Sequence, residues 1–220
     1  MNKLITVSAI LIFFALGCSK VTQLLPGARG GGIGSGSGGA TKASSDPKQD
    51  IIDASNKFIA LPYFSAKMNG TGQNELKSQV DYVAPDRYHI AYLGGTAAGM
   101  EIIMVGNDMY MKTGDKWTKT PGSNASSIPN LRDSFTEEGL KTLSDVKSAG
   151  TESVDGKEAN VYTYKNVTPK GQFPFESRIW VSQDTGLPMK IVVDYPNGAL
   201  KQMTVVYDTV TPVTIEPPVK

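Results

Sequence analysis

The sequence predicts a mainly β protein of the α+β class, an antiparallel sheet curled into a barrel or a cup, with about two or three helices covering its concave face. Three observations lead there. Segments after residue 60 alternate apolar and polar residues with period two, the pattern of strands with one dry face. Turn residues, among them Pro85-Asp86, Gly94-Gly95, Gly106-Asn107 and Asp155-Gly156, separate those segments at short intervals. One stretch with helical spacing precedes the strands and a second, shorter one interrupts them. Consecutive antiparallel strands with one dry face curl into a barrel or a cup, and the helices need that face to bury their own apolar stripes.

The chain begins with Met1-Asn2-Lys3, an apolar run from Leu4 to Leu16, and Gly17-Cys18. That run is too short for a comfortable membrane span, so residues 1–17 read as a secretory signal peptide. Cys18 is the only cysteine. A lone cysteine in an exported chain is a free thiol, half of an intermolecular disulfide, or a modified residue. Ala15-Leu16-Gly17-Cys18 resembles a bacterial lipobox, with Ala15 where leucine is usual. The resemblance implies cleavage before Cys18 and a diacylglycerol thioether on its sulfur. Two or three acyl chains, at about 0.8 kcal/mol per buried CH2, anchor a protein stably.

Residues 18–45 read as the lipidated cysteine and a flexible tether. Eight glycines fall between Gly27 and Gly39, mixed with serine and almost no apolar residue. Such a segment buries too little to offset its ordering entropy and spans roughly 30 Å as a coil. Ser19 rather than aspartate follows the cysteine. By analogy with Gram-negative sorting, that allows an outer-membrane destination facing the periplasm. With a single membrane, the anchor would sit on the outer face of the plasma membrane.

Residues 46–220 are long enough for one domain with its own core. Its first element is a helix. Asp46 suits the N-cap, Pro47 the first helical position, and Gln49 the reciprocal place of a capping box. Ile51, Ile52, Ser55, Phe58 and Ile59 share one side, and Pro62 ends the helix.

About five strands are expected next. Phe64, Ala66 and Met68 form one dry face; Leu76, Val80 and Tyr82 a second; Tyr88, Ile90 and Tyr92 a third. The fourth and fifth form a hairpin about Gly106-Asn107, with Gly at the first central position of a type II′ turn. A two-residue turn pairs Met104 with Met109, Ile103 with Tyr110, Ile102 with Met111 and Glu101 with Lys112. Opposite charges then meet on one face, while Met100, Ile102, Met104, Met109 and Met111 gather on the other. That face holds four of the chain's eight methionines. Methionine fills irregular space and tolerates varied partners. Two explanations stay open: an ordinary core, or a surface that holds a flexible apolar ligand.

Trp117 begins a short strand after the Thr113–Lys116 turn, and residues 121–129 are polar. Phe135, Leu140 and Leu143 suggest a short helix from about Ser134 that closes one opening of the sheet. About five more strands follow. Asp155-Gly156 signals a hairpin, Glu176–Ser182 pairs with Met189–Tyr195, and Leu200–Tyr207 is last. Trp117 and Trp180 read as core or rim packing, the face of Trp180 staying open. The Pro-rich end from Pro212 looks frayed or edge-bound.

Four segments in order resemble the half-barrel lipid- and lipoprotein-carrier superfamily, which includes Lol-type carriers and LppX/LprG-type lipoproteins. They are Val83-Ala84-Pro85-Asp86-Arg87-Tyr88, the Ile103–Trp117 hairpin, Val154-Asp155-Gly156-Lys157 with Val161-Tyr162, and Ile179-Trp180-Val181-Ser182 to Leu187-Pro188-Met189-Lys190. The resemblance implies an unclosed barrel around a hydrophobic cavity that takes acyl chains. Lol-type carriers place an arginine before the proline, where this chain has Ala84, so their hand-off mechanism does not transfer.

The chemistry is otherwise sparse. Lys and Arg total 22 against 21 Asp and Glu, without a basic stripe, which argues against a nucleic-acid partner. His89, the only histidine, falls on the wet face of its strand and reads as a solvated residue. With one histidine and one cysteine there is no zinc set, no Ser-His pair and no Cys-His pair to assign. Neither a catalytic residue, a metal nor a cofactor is expected. The expected function is an envelope lipoprotein, held by its membrane anchor on Cys18, that binds or carries a lipid or lipoprotein acyl chain. The expected lining is Tyr88, Ile90, Met100, Ile102, Met104, Met109 and Met111. The alternative is a ligandless half-barrel that binds an envelope protein, an assembly factor or a sensor's regulator.

Overall fold

In the computed structural model, the described residues are 45–73, 75–121, 132, 135–167, 174–196 and 199–219. Cys18, the segments expected to be a signal peptide and a tether up to Ser44, and the polar stretch after Pro121 lie outside them.

Helix α1 (Pro47–Ile59) starts where the sequence places it. The Asp46 carboxylate accepts the Lys48 and Gln49 amides at 3.0 and 3.2 Å. Such a cap contributes about 1 kcal/mol. The capping box does not close, because the Gln49 side chain donates to Asp53, one turn on, at 2.8 Å. Ile51, Ala54, Ser55 and Phe58 are buried, while Ile52 and Ile59 are half-buried at the border of the stripe.

Eleven strands follow: β1 (Tyr63–Gly72), β2 (Leu76–Val83), β3 (Arg87–Gly94), β4 (Glu101–Val105), β5 (Asp108–Thr113), β6 (Lys116–Pro121), β7 (Ser144–Val154), β8 (Lys157–Val167), β9 (Pro174–Ser182), β10 (Pro188–Asp194) and β11 (Leu200–Asp208). Helix α2 (Glu137–Lys141) precedes β7. The strands make one antiparallel sheet in the order β6-β5-β4-β3-β2-β1-β11-β10-β9-β8-β7. The first half steps outward from the centre, six strands rather than about five. The second half starts at the far edge and steps back until β11 pairs with β1, Met68 opposite Val205. Edges β6 and β7 are left unpaired with each other, so the barrel is open. Both edges carry features that discourage further pairing: Lys116, Lys119 and Pro121 on β6, and two register shifts on β7.

Turn chemistry sets the registers. Gly106 has φ +60° and Asn107 is not among the residues with positive φ, as a type II′ turn requires. The expected pairs follow: Glu101 opposite Lys112, Ile102 opposite Met111, Ile103 opposite Tyr110 and Met104 opposite Met109. Asp155 and Gly156 both have positive φ, as a type I′ hairpin demands.

The inner face, covered by α1 and by Phe135, Leu140 and Leu143, holds the main core. The outer face carries two further structures. Across the first half, a polar ladder crosses five strands. Ser65 donates to Asp81 at 2.6 Å, His89 lies 3.4 Å from Asp81 and 3.3 Å from Glu101, and Lys112 meets Glu101 at 2.6 Å. His89 is therefore not simply solvated. It is half-buried between two carboxylates, because neighbouring strands bring their outward residues within side-chain reach. On the second half, Trp180 packs with Ala159 and Val161 in a small separate core, bordered by Val154, Met189 and Val192. The Arg178 guanidinium and Lys190 ammonium lie 5.0 and 4.7 Å from its ring, and its indole N–H donates to Glu152 at 2.8 Å.

The C-terminal segment is not frayed. Asp208 caps its first turn, accepting from the Val210 and Thr211 amides. Arg87 of β3 then donates to the Ile215 carbonyl at 2.7 Å and pairs with Glu216, and Ile215 is 4% exposed.

Candidate functional site

The inner face is built by alternation. Phe64 and Ala66 of β1, Val80 and Tyr82 of β2, Tyr88 and Ile90 of β3, and Ile102 and Met104 of β4 all point to the side that α1 covers. A row of ring contacts runs through it. Phe135 meets Phe58 at 4.6 Å between centroids, Phe58 meets Phe64 at 4.8 Å, Phe64 meets Tyr82 at 5.2 Å, and Tyr82 meets Tyr88 at 5.0 Å. Tyr207 sets its edge against Phe58 at 5.0 Å. Tilted pairs at these separations add about 0.5–1.5 kcal/mol each beyond area burial.

The residues expected to line a cavity fall into two groups. Tyr88, Ile90, Ile102 and Met104 are buried in the core, Met104 and Phe58 at 0% exposure. Met100 and Met109 are half-buried and pack against that core. Met111 is on the same side but half-buried outside the cluster, on the last strand before edge β6.

Across the centre, the inner face changes character. The second half contributes Ile179, Val181, Ile191, Met203 and Val205, but also hydroxyls and amides. Tyr162 donates to Asp50 of α1 at 2.8 Å, tying the helix to β8. Lys48 and Lys57 of α1 reach the carbonyls of Leu143 and Thr185 at 3.4 and 3.2 Å, again on the second half. Burial pushes the Tyr164 hydroxyl up to about 12 and raises Tyr207 and Tyr195 as well. Ser177 Oγ is buried and has no partner in hydrogen-bond geometry among the described residues, although it lies close enough to Tyr164 to hold its pKa down slightly.

Two features of the site escaped the sequence. Arg132 stacks 4.6 Å from the Tyr82 ring and donates to the Tyr82 hydroxyl and the Ile59 carbonyl, joining the end of α1 to β2. It lies in a segment with no periodicity to place it. The hydroxyl side was legible in principle, since Asn160, Tyr162, Tyr164 and Asn166 alternate strictly.

The arrangement buries apolar surface. Among the described residues, no group of three His, Cys, Asp or Glu could hold a metal ion. A cavity of about 330 Å³ lies off the core, between Glu176, Asp194, Tyr195, Pro196 and Lys201 where β9, β10 and β11 meet.

No family model matches the sequence, and no curated protein matches it. Solved structures do. LppX, a lipoprotein of Mycobacterium tuberculosis, superposes with a TM-score of 0.62 at 16% identity, over 77% of this chain and 98% of LppX. LprF of Mycobacterium bovis gives 0.60 at 14% identity, over 83% of this chain and 100% of LprF. At such identities the likeness is one of fold, and the chain has the open half-barrel fold of these two proteins.

Proposed function

We propose that this chain is an envelope-anchored, non-catalytic binder or carrier of an apolar ligand, a lipid or the acyl chains of a lipoprotein. One observation carries the proposal. A continuous apolar inner face runs from β4 across to β11 in a sheet whose edges stay open, and helices rather than strands cover it. Tyr88, Ile90, Ile102 and Met104 would meet the ligand, with Met100, Met109 and Met111 at the margin. Acyl chains leaving a bilayer would replace the side chains of α1 and the Phe135–Leu143 segment, and burial at about 25 cal/mol per Å² supplies the affinity. The lipobox-like Cys18 supplies the anchor, and the half-barrel shared with LppX, a lipoprotein, agrees with an envelope location.

A second reading has its own observation. The inner face is filled, with Phe58 and Met104 at 0% exposure, as in a ligandless module that binds a protein partner in the envelope. Uptake separates the two. The full chain is mixed with vesicles containing a fluorescent acyl lipid, and transfer to the protein is measured. Met109→Glu, on the inner side, should cut uptake about tenfold through the cost of a buried carboxylate. Ile103→Glu, equally half-buried but on the outer side, should leave it near the wild type. No transfer to the wild-type chain would favour the protein-partner reading.

A further inference from the structure

The two ends of the sheet are built differently. The registers put the turns at Pro85-Asp86, Gly106-Asn107, Asp155-Gly156 and residues 183–187 at one end. The β1–β2 turn, the β3–β4 loop and the β10–β11 turn lie at the other. Helix α1 begins at this second end. Lys48 reaches the carbonyl of Leu143, and the next residue, Ser144, pairs with Lys165 near the end of β8. The glycine- and serine-rich segment that precedes Asp46 therefore joins the fold at the β3–β4 loop's end.

That loop is a built platform. The Gly99 amide donates to the Tyr92 carbonyl at 2.8 Å and the Tyr92 amide to the Met100 carbonyl at 2.9 Å. Gly95 has φ +78°, and a Cβ there would stand 2.1 Å from the Glu75 carbonyl oxygen, so only glycine lets the loop lie down on the β1–β2 turn. Gly94 rests against the aliphatic stem of Lys77. From Leu93 to Met100 the sequence carries no charge, and Leu93 is 63% exposed. Leu93 stands near the end of β3, where the strand runs into this ordered, uncharged loop.

We propose that this loop is where the domain rests on a lipid bilayer. Leu93 and the uncharged residues 94–99 enter the headgroup boundary, and the Lys77 ammonium stays at the phosphates. One leucine cannot hold a protein on a membrane. A tether at the same end makes the contact intramolecular, so a weak surface suffices to orient the fold. The inference rests on the membrane tether and not on lipid carriage, and either can fail alone.

The test uses the full chain, made in a bacterial envelope and reconstituted into phosphatidylethanolamine–phosphatidylglycerol vesicles. Leu93→Cys and Asn107→Cys are each labelled with an environment-sensitive fluorophore; Cys18 is common to both and cancels in the comparison. Asn107 is exposed at the far end of the sheet. Quenching by a shallow nitroxide lipid should be at least about threefold stronger at position 93 than at 107, as interfacial depth requires. Equal quenching at the two positions would overturn the proposal. So would blue-shifted emission at 93 without nitroxide quenching, which would put a protein there instead.

Discussion

The outer face of β1–β5 is crossed by a charged ladder, while that of β8–β10 is ordered around one indole. The first half uses the Ser65–Asp81–His89–Glu101–Lys112 ladder, with β1 to β5 contributing one side chain each. The second half uses Trp180, packed on Ala159 and Val161 and flanked by Arg178 and Lys190. The inner faces differ too: aromatic and methionine-rich on one side, hydroxyl-bearing on the other, where α1 is tied through Asp50, Lys48 and Lys57. The covering helix is thus tied by side-chain hydrogen bonds to the second half, while its Phe58 packs on rings of both, Phe64 on β1 and Tyr207 on β11. Lifting α1 off the sheet would break its bonds to Tyr162, Leu143 and Thr185 as well as the Phe58–Phe64 ring contact and the Arg132 bond to Ile59.

Substitutions can break this comparison or sharpen it. The largest effect is expected at the shared core. Phe58→Ala should cost about 3–5 kcal/mol in urea unfolding, since a fully buried ring meets Phe64, Phe135 and Tyr207. A loss below about 1 kcal/mol would mean that α1 is not packed as described. Next comes the contrast between the tryptophans. Trp180→Ala should cost about 3 kcal/mol and Trp117→Ala, half-buried on edge β6, less than about 1 kcal/mol. Equal losses would erase the distinction between the two outer faces. Ile215→Ala should cost about 2 kcal/mol if the C-terminal segment is as firmly seated as its burial implies.

The smallest effect is pH-dependent. Hydrogen bonding to Asp81 raises the His89 pKa above its ordinary 6.5, against burial and with Glu101 adding to the rise. The folded-state value is the higher one, so the stabilisation is complete below 6.5 and fades as pH rises through the folded value. The partners behave oppositely. Lys112 holds Glu101 below its usual value, and His89, Ser65 and Gln79 hold Asp81 below its own despite burial, so their contribution is lost in acid. Thermal unfolding of wild type against His89→Gln should show a gap of about 1 kcal/mol or less near neutrality that closes in mild base. A gap independent of pH would remove His89 from the ladder.

Alternation explains what the sequence made legible. In β1 to β4 the inward residues are apolar apart from Ser78, so the inner faces could be read locally, and the hairpin turn and the N-cap were legible from their own residues. Local pattern could not place Trp180, because Ile179, Trp180 and Val181 are all apolar and the strand is dry on both sides. It misjudged His89, whose two carboxylate neighbours lie on other strands. It also missed the seating of Ile215, which depends on Arg87, 128 residues away in the chain. Cys18, from which the anchor is read, lies outside the described residues and still rests on sequence alone.

An acyl lipid held on the inner face would leave with the purified protein. The most direct measurement is native mass spectrometry, followed by organic extraction, of residues 42–220 purified from a bacterial envelope without detergent. A stoichiometric acyl lipid, reduced in a folded Met109→Glu variant, is the expected result. A clean unliganded mass that takes up no lipid from vesicles would contradict it.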